Sequence, residues 1–340
     1  MAHMISTGEY VWAYYPTSRK RPEQPPHWER LQIGEVFGRG GMARIHTRAP
    51  FPQSRTLLKL FDGELAPRVR QQNFDKLHTL CEICHELNQS IPVVAWPDAL
   101  LFSEQTPSPA TLVGLTLPLV ADAVPLWEFL LPAKAVLAKF PNISFETRQL
   151  IATHLAEAFA LLHGRGICFG DPNANNVLVD TTTFEVTLID PDSIVTDLVP
   201  PNGVDKTFYP PVATTPGFRS PAVVAQTNSG DGIVRLYTKA DDAYALAVLL
   251  FPLLVPGFWP WSAQHEEADA LCQTRRFPYD GPTRTLPEDC FQMKAFRALP
   301  TSVQDAFTRA FAYGTPPRAA EWADLFHKHW RLLRRFARRA

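Results

Sequence analysis

The sequence predicts a two-part α+β fold, with strands dominating the first third of the chain and helices the rest. Three observations carry this. The stretch LQIGEVFGRGGMARIHTR reads as a strand, a glycine turn and a return strand, and the β-type run TLLKLF follows it. Later segments switch to helical spacing, most clearly over Phe145–Gly164 and in DDAYALAVLLFPLL. The length, 340 residues, suffices for two lobes with separate cores.

Composition narrows the class. With 46% hydrophobic residues and a formal net charge of −1, the chain reads as an ordinary globular protein with no electrostatic reason to bind nucleic acid. Its 32 prolines, about twice the usual share, fall mostly between periodic segments and point to long ordered loops. No apolar run approaches the ~18 residues of a membrane-spanning helix, and the N-terminus does not read as a secretory signal. Five scattered cysteines suit a reducing cytoplasm better than a disulfide framework.

In chain order, residues 1–30 read as an irregular Pro-, Tyr- and Arg-rich leader that opens with a cloning scar. Gly38, Gly40 and Gly41 let the backbone approach a ligand and point N–H groups at it. Lys59 sits within the apolar strand TLLKLF, where a lysine is costly unless paired or functional. Residues 69–88 have helical spacing, IPVVAWPDALLF and ATLVGLTLPLV read as strands, and LWEFLLP and Phe145–Gly164 read as helices. Residues 195–224 form an irregular Pro- and Thr-rich span ahead of the apolar, buried helix DDAYALAVLLFPLL. The tail, residues 331–340, continues a basic run that suits a solvated helix face at the negative end of the dipole. A membrane partner enters only if the native chain continues past that tail.

The chemistry concentrates in ICFGDPNANNVLVDTTTFEVTLIDPDSI, Ile167 to Ile194. Two short strands joined by a Thr-rich turn place Asp171, Asn176 and Asp190 on one ribbon. A carboxylate, a carboxamide and a second carboxylate at this spacing match the needs of phosphoryl transfer. One orients the attacking hydroxyl, and two hold Mg²⁺ against the phosphates.

Together, the glycine loop, strand lysine, D-x-x-x-x-N, ID-x-D and Asp-opened helix resemble the eukaryotic-type protein kinases. Within that family they are similar to a divergent bacterial Ser/Thr subgroup with GD in place of HRD. The resemblance covers about residues 31–330 and implies a bilobal protein kinase-like fold. Its β-rich N-lobe would span residues 31–120 and its mainly helical C-lobe residues 121–330. GRGGMARI resembles the glycine-rich loop, which implies that Gly38, Arg39, Gly40, Gly41 and Ile45 contact the nucleotide, with Ala43 in the third glycine place. LLKL resembles the VAIK strand and makes Lys59 the partner of the α- and β-phosphates. CFGDPNANN resembles the catalytic loop, with Asp171 as base and Asn176 as metal ligand, and LIDPDS resembles DFG, with Asp190 as the second metal ligand. Asp75 and Glu82 are the candidate acidic partners of Lys59, the local pattern favouring Glu82. Pro118 and Val120 fall at the hinge, where a carbonyl and an N–H would meet adenine. TTPGFRSPA resembles the segment ending in APE, Asp242 the aspartate that braces the catalytic loop, and Arg318 a late structural arginine.

The chain departs from the family at several of these places. Phe169 and Gly170 stand for the His and Arg before the catalytic Asp, which removes the usual dock for a phosphorylated activation loop. Asn173 replaces a charged lysine, Pro191 and Asp192 replace Phe and Gly, and Ala222 replaces the Glu that would pair with Arg318. The expected activity is ATP- and Mg²⁺-dependent phosphorylation of Ser or Thr in a protein substrate. Ser193, Thr196, Thr207, Thr214 and Thr215 are candidate autophosphorylation sites. One alternative is a pseudokinase, a nucleotide-binding scaffold supported by these substitutions. Another is a small-molecule phosphotransferase of the aminoglycoside-kinase type, which TTPGFRSP and the DDAYALAV helix oppose. Cys81-Glu82-Ile83-Cys84-His85 matches a c-type haem attachment motif, but it lies in a helical stretch of a chain whose N-terminus does not read as an export signal, so no haem is expected; nor is a structural zinc, because no second Cys/His pair follows at ligand spacing.

Overall fold

The computed structural model describes residues 6–18, 24–40, 43–62, 67–198, 207–229, 234–261 and 265–330. The chain divides into two compact units. The first comprises Met1–Ala121, Ile189–Asp192 and Asp197–Val212, and the second Asp122–Leu188, Ser193–Thr196 and Ala213–Ala340.

In the first unit, six antiparallel strands close into a barrel. They are β1 (Tyr10–Tyr15), β2 (His27–Arg39), β3 (Ala43–Arg48), β4 (Thr56–Phe61), β5 (Leu100–Phe102) and β6 (Leu112–Pro118). Their order is β1-β2-β3-β4-β6-β5, and β1 closes the ring by pairing with both β2 and β5. Alternate side chains fill the interior, including Val11, Ala13, Leu31, Ile33, Leu58, Leu60, Ala99 and Leu101. The sequence-based expectation of an irregular leader over residues 1–30 is therefore corrected. Val11 and Ala13 point inward in a period-two strand, but the run is short and its pairing partners lie at residues 27–32 and 100–102. Local periodicity cannot reveal such partners. IPVVAWPDALLF is likewise not one strand, since only Leu100–Phe102 of it forms one. Before it, Pro97 lacks a ladder donor and Trp96 turns in to donate its indole N–H to the Ile91 carbonyl at 2.9 Å. Helix α1 (Pro67–Ser90) extends the expected span at both ends and buries Leu77, Leu80 and Leu87.

The second unit holds a three-stranded sheet, β7 (Ala123–Pro125), β8 (Val177–Asp180) and β9 (Val186–Leu188). Its helices run from α2 (Trp127–Leu130), α3 (Ala133–Lys139) and α4 (Phe145–Gly164) to α5 (Pro221–Asn228) and α6 (Lys239–Leu254). They continue with α7 (His265–Gln273), α8 (Phe291–Arg297), α9 (Thr301–Phe311) and α10 (Ala319–Trp330). Helix α4 starts where the sequence expects because Ser144 and Thr147 form a reciprocal capping box; α4 packs against α6 and α10. Helix α6 is capped in the same way by Thr238 and Asp241 and is buried along nearly its whole length. Phe251 on α6 touches the rings of Phe277, Tyr279, Phe296, Phe307 and Phe311 and forms an aromatic centre to this core. A strand-rich first unit and a mainly helical second unit make the chain α+β.

Candidate active site

Each unit carries one part of the expected set. In the second unit, the ribbon is the β8–β9 hairpin, with Val177 opposite Leu188. Its turn closes through Asp180, whose carboxylate accepts the amides of Thr182 and Thr183 at 2.7 Å each. Asp171 and Asn176 precede β8 and lie together. The Asn176 side-chain amide donates to the Asp171 carbonyl at 3.1 Å and to its carboxylate at 3.4 Å.

Asp171 is only 9% exposed, and both its oxygens are engaged. Oδ1 accepts the Thr215 amide at 2.6 Å, and Oδ2 accepts the Thr215 hydroxyl and the Asn173 amide nitrogen at 3.0 Å each. Burial pushes the Asp171 carboxyl above its ordinary pKa, and the bonds from Thr215 and Asn173 oppose that shift. Thr215 is held in turn by its neighbours, because Arg219 binds the Thr214 carbonyl at 2.7 Å and Asp269 at 3.3 Å. A shallow pocket lined by Asp171, Thr214, Thr215, Phe218, Arg219 and Tyr237 opens beside the carboxylate.

The backbone before Asp171 is fixed from below by Asp242 of α6, a fully buried carboxylate. It accepts the Phe169 amide at 2.5 Å, the Gly170 amide at 3.1 Å and the Tyr237 hydroxyl at 2.8 Å; His163 Nε2 lies 3.1 Å away. Asp242 is not the N-cap of α6, a role that belongs to Thr238. Gly170 has φ 87, and a Cβ there would stand 1.9 Å from the Ser193 carbonyl oxygen. No side chain fits at this position, which is the physical reason an arginine is missing before Asp171.

In the first unit, Lys59 on β4 is 6% exposed and its ammonium binds two carboxylates, Asp190 and Asp192, the latter at 2.5 Å. Asp190 takes a left-handed backbone, φ 74, and a short 3-10 turn, Pro191–Ser193, follows it. Lys76 of α1 donates its ammonium to the Asp192 carbonyl. The expected partners of Lys59 are thereby corrected. Asp75 bonds Gln71 at 2.9 Å and Glu82 faces His78 at 3.5 Å, each along α1 rather than toward β4.

The glycine loop is the β2–β3 hairpin, where Gly38 lies opposite Ile45, Arg39 opposite Arg44, and the Gly40 amide donates to the Ala43 carbonyl at 2.8 Å. A Cβ on Gly38 would meet nothing within 4 Å, so its backbone faces open space. Gly41 lies outside the described residues. Pro118 ends β6 opposite Thr56, and the Val120 amide has no backbone acceptor among the described residues. Arg318 is exposed, and α5 is tied to α6 instead by the Ser220 hydroxyl, which donates to Asp241 at 2.5 Å. The basic tail also lies outside the described residues.

Sequence reasoning missed Lys76, the roles of Asp192, Tyr237 and His163, and the contact of Thr215 with Asp171. The unexplained polar positions on apolar helix faces, Lys76 and His163, were the signals available.

This fold is that of the protein kinase-like proteins. Among solved structures, the chain is similar to a rhoptry kinase from Toxoplasma gondii, at 15% identity and a TM-score of 0.60, covering 98% of this chain and 86% of that one. It is similar also to the ROP18 kinase domain in complex with AMP-PNP and sucrose, at 15% identity and a TM-score of 0.57, covering 97% and 86%. Among curated proteins, it resembles protein kinase YegI of Escherichia coli K12, at 26% identity over 303 residues, which are 83% of this chain and 41% of that protein. The YegI of Escherichia coli O157:H7 matches at 26% over 247 residues, 71% of this chain and 34% of that protein. The chain thus spans less than half the length of the curated relatives it matches. No family model matches it. By fold and by these similarities the chain resembles the protein kinase-like superfamily.

Proposed function

We propose that this chain transfers the γ-phosphoryl group of ATP to Ser or Thr hydroxyls of a protein substrate. The observation that carries the reading is the fixing of Asp171: its carboxylate is oriented by Thr215, Asn173 and Asn176, and its backbone is bolted through residues 169 and 170 to Asp242. Phosphoryl transfer needs positioning and charge rather than covalent chemistry, and a base held this way supplies the first. Asp171 orients the acceptor hydroxyl and takes its proton late. Its upward-shifted carboxyl makes it a better proton acceptor than an exposed aspartate.

Lys59 supplies a buried cation for the α- and β-phosphates, exchanging a carboxylate for phosphate oxygens. Gly38, Arg39, Gly40 and Ile45 are assigned to the phosphates, with Gly41 from the same loop, and Pro118 and Val120 to adenine. The donor set fits Mg²⁺, a hard ion that takes oxygen ligands. The Asn176 amide nitrogen is turned to Asp171, which leaves Oδ1 without a partner among the described residues, and Asp190 Oδ2 is equally uncommitted. Asn176 and Asp190 would hold the ion, which when bound neutralises charge on the phosphates. A cytoplasmic location is supported by five cysteines that are all free.

One observation favours a second reading, a nucleotide-binding scaffold without transfer: Lys59 is occupied by two carboxylates and the Asp171 carboxylate by four donors. Incubation with labelled ATP and Mg²⁺, beside Asp171→Ala, decides between them. Transfer predicts label on phosphoserine or phosphothreonine in the wild type and a loss of about a thousandfold in the variant. Equal label in both samples removes Asp171 from the mechanism, and nucleotide binding without label in either leaves the scaffold. Phosphorylation of an aminoglycoside but of no protein would move the reading to a small-molecule phosphotransferase.

A further inference from the structure

We infer that Lys76 of α1 is the positioning residue that holds the Asp190–Asp192 turn, and that Asp192 of this turn, rather than an acid of α1, is the ion-pair partner of Lys59. It rests on the reading of Lys59 as the phosphate-binding lysine and Asp190 as a metal ligand.

Lys76 is 1% exposed, and a lysine so buried is costly without partners. It donates to the Asp192 carbonyl, and the carboxylate of the same residue is the opposite charge that favours its ammonium. Lys59 binds the Asp190 and Asp192 carboxylates. Two lysines and two aspartates therefore form one charge-balanced group. Removing Lys76 leaves two carboxylates on a single ammonium.

The turn needs an anchor for a second reason. Asp190 holds a left-handed backbone at φ 74, a conformation that a non-glycine residue keeps only where its surroundings enforce it. Lys59 fixes the carboxylate of Asp190, and Lys76 fixes the carbonyl of Asp192; between them Pro191 restricts the chain. Helix α1 thus contributes a cation to the turn where the kinase resemblance implies an anion for Lys59. Lys59 keeps its acidic partner from the turn itself, and α1 controls the site by holding that turn.

The test measures amide hydrogen exchange of residues 189–194 in the intact chain without nucleotide, for the wild type, Lys76→Met, Lys76→Arg and Asp192→Asn. Lys76→Met is expected to speed exchange of these amides about tenfold or more while the β8–β9 amides stay protected, and Lys76→Arg to recover part of the protection. Calorimetry with ADP then adds a functional readout. Lys76→Met and Asp192→Asn should weaken Mg²⁺-ADP about tenfold and metal-free ADP far less, while Asp75→Asn and Glu82→Gln leave both unchanged. Unchanged exchange in a folded Lys76→Met overturns the anchor. Should that variant not fold, Lys76→Gln takes its place, and unchanged exchange in it overturns the anchor equally. Weakening by Glu82→Gln or Asp75→Asn as large as that by Asp192→Asn overturns the assignment of the partner. A wild type that binds no Mg²⁺-ADP, with a turn that still loosens in Lys76→Met, sinks the phosphoryl-transfer reading and leaves the anchor standing.

Discussion

Gly170 shows how a motif can change because the backbone leaves no room for its usual residue. Its amide is bound by Asp242, its φ is 87, and the Ser193 carbonyl occupies the space a Cβ would need. Replacing the missing arginine should therefore damage the protein. Gly170→Arg and Gly170→Ala are both expected to lose about 3 kcal/mol or more in urea denaturation, from left-handed strain combined with a contact to backbone that cannot yield. An unshifted midpoint for Gly170→Ala would mean that the loop has room to relax. Asn173 is a similar case. It replaces a charged residue of the resemblance, yet it bonds Asp171 and Thr215 through its amide nitrogen and accepts the Asn175 amide at 2.9 Å through its oxygen. Its role is to fix the loop, one a carboxamide performs and an ammonium cannot, since an ammonium accepts nothing.

At the scale of elements, α1 has an apolar face readable from its spacing and a buried lysine that the spacing does not explain. Burial pushes the Lys76 ammonium down to about 8 from 10.5, with the Asp192 charge opposing the shift and Lys59 adding to it. Between those two values the unfolded chain binds a proton that the folded chain does not. Stability attributable to Lys76 therefore rises with pH through that window, with a slope of up to about 1.4 kcal/mol per pH unit. Below pH 8 both states are protonated and the slope vanishes. Denaturation at intervals from pH 7 to 10 should show this rise in the wild type and a flatter profile in Lys76→Met. Parallel profiles would mean that Lys76 titrates normally. The capped helices α4 and α6 behave differently, because their boundaries follow from Ser144 with Thr147 and Thr238 with Asp241, local signals that survive in any tertiary setting.

At the scale of the whole molecule, the chain builds two cores of different kinds. The first is a barrel interior of aliphatic side chains from alternate strand positions, and the second is helical with an aromatic centre on Phe251. Phe251→Ala should cost about 3–5 kcal/mol, since five rings pack against it and cannot all close the cavity. Thermal melting followed by near-ultraviolet dichroism would register the loss as a single large shift. A change below 1 kcal/mol would mean that these rings repack freely.

The sequence by itself determined the α+β division, the long helices α1, α4 and α6, and the order of Lys59, Asp171, Asn176 and Asp190 along the chain. Those features depend on local periodicity, capping and spacing, which short stretches of chain express alone. Tertiary structure alone decided that Tyr10–Tyr15 closes a barrel, because strand pairing joins residues far apart in sequence. It alone decided that Asp192 meets Lys59 while Asp75 and Glu82 turn elsewhere along α1. A buried charge selects its partner by where the folded backbone brings an opposite charge within reach, and spacing along a helix narrows that choice without making it.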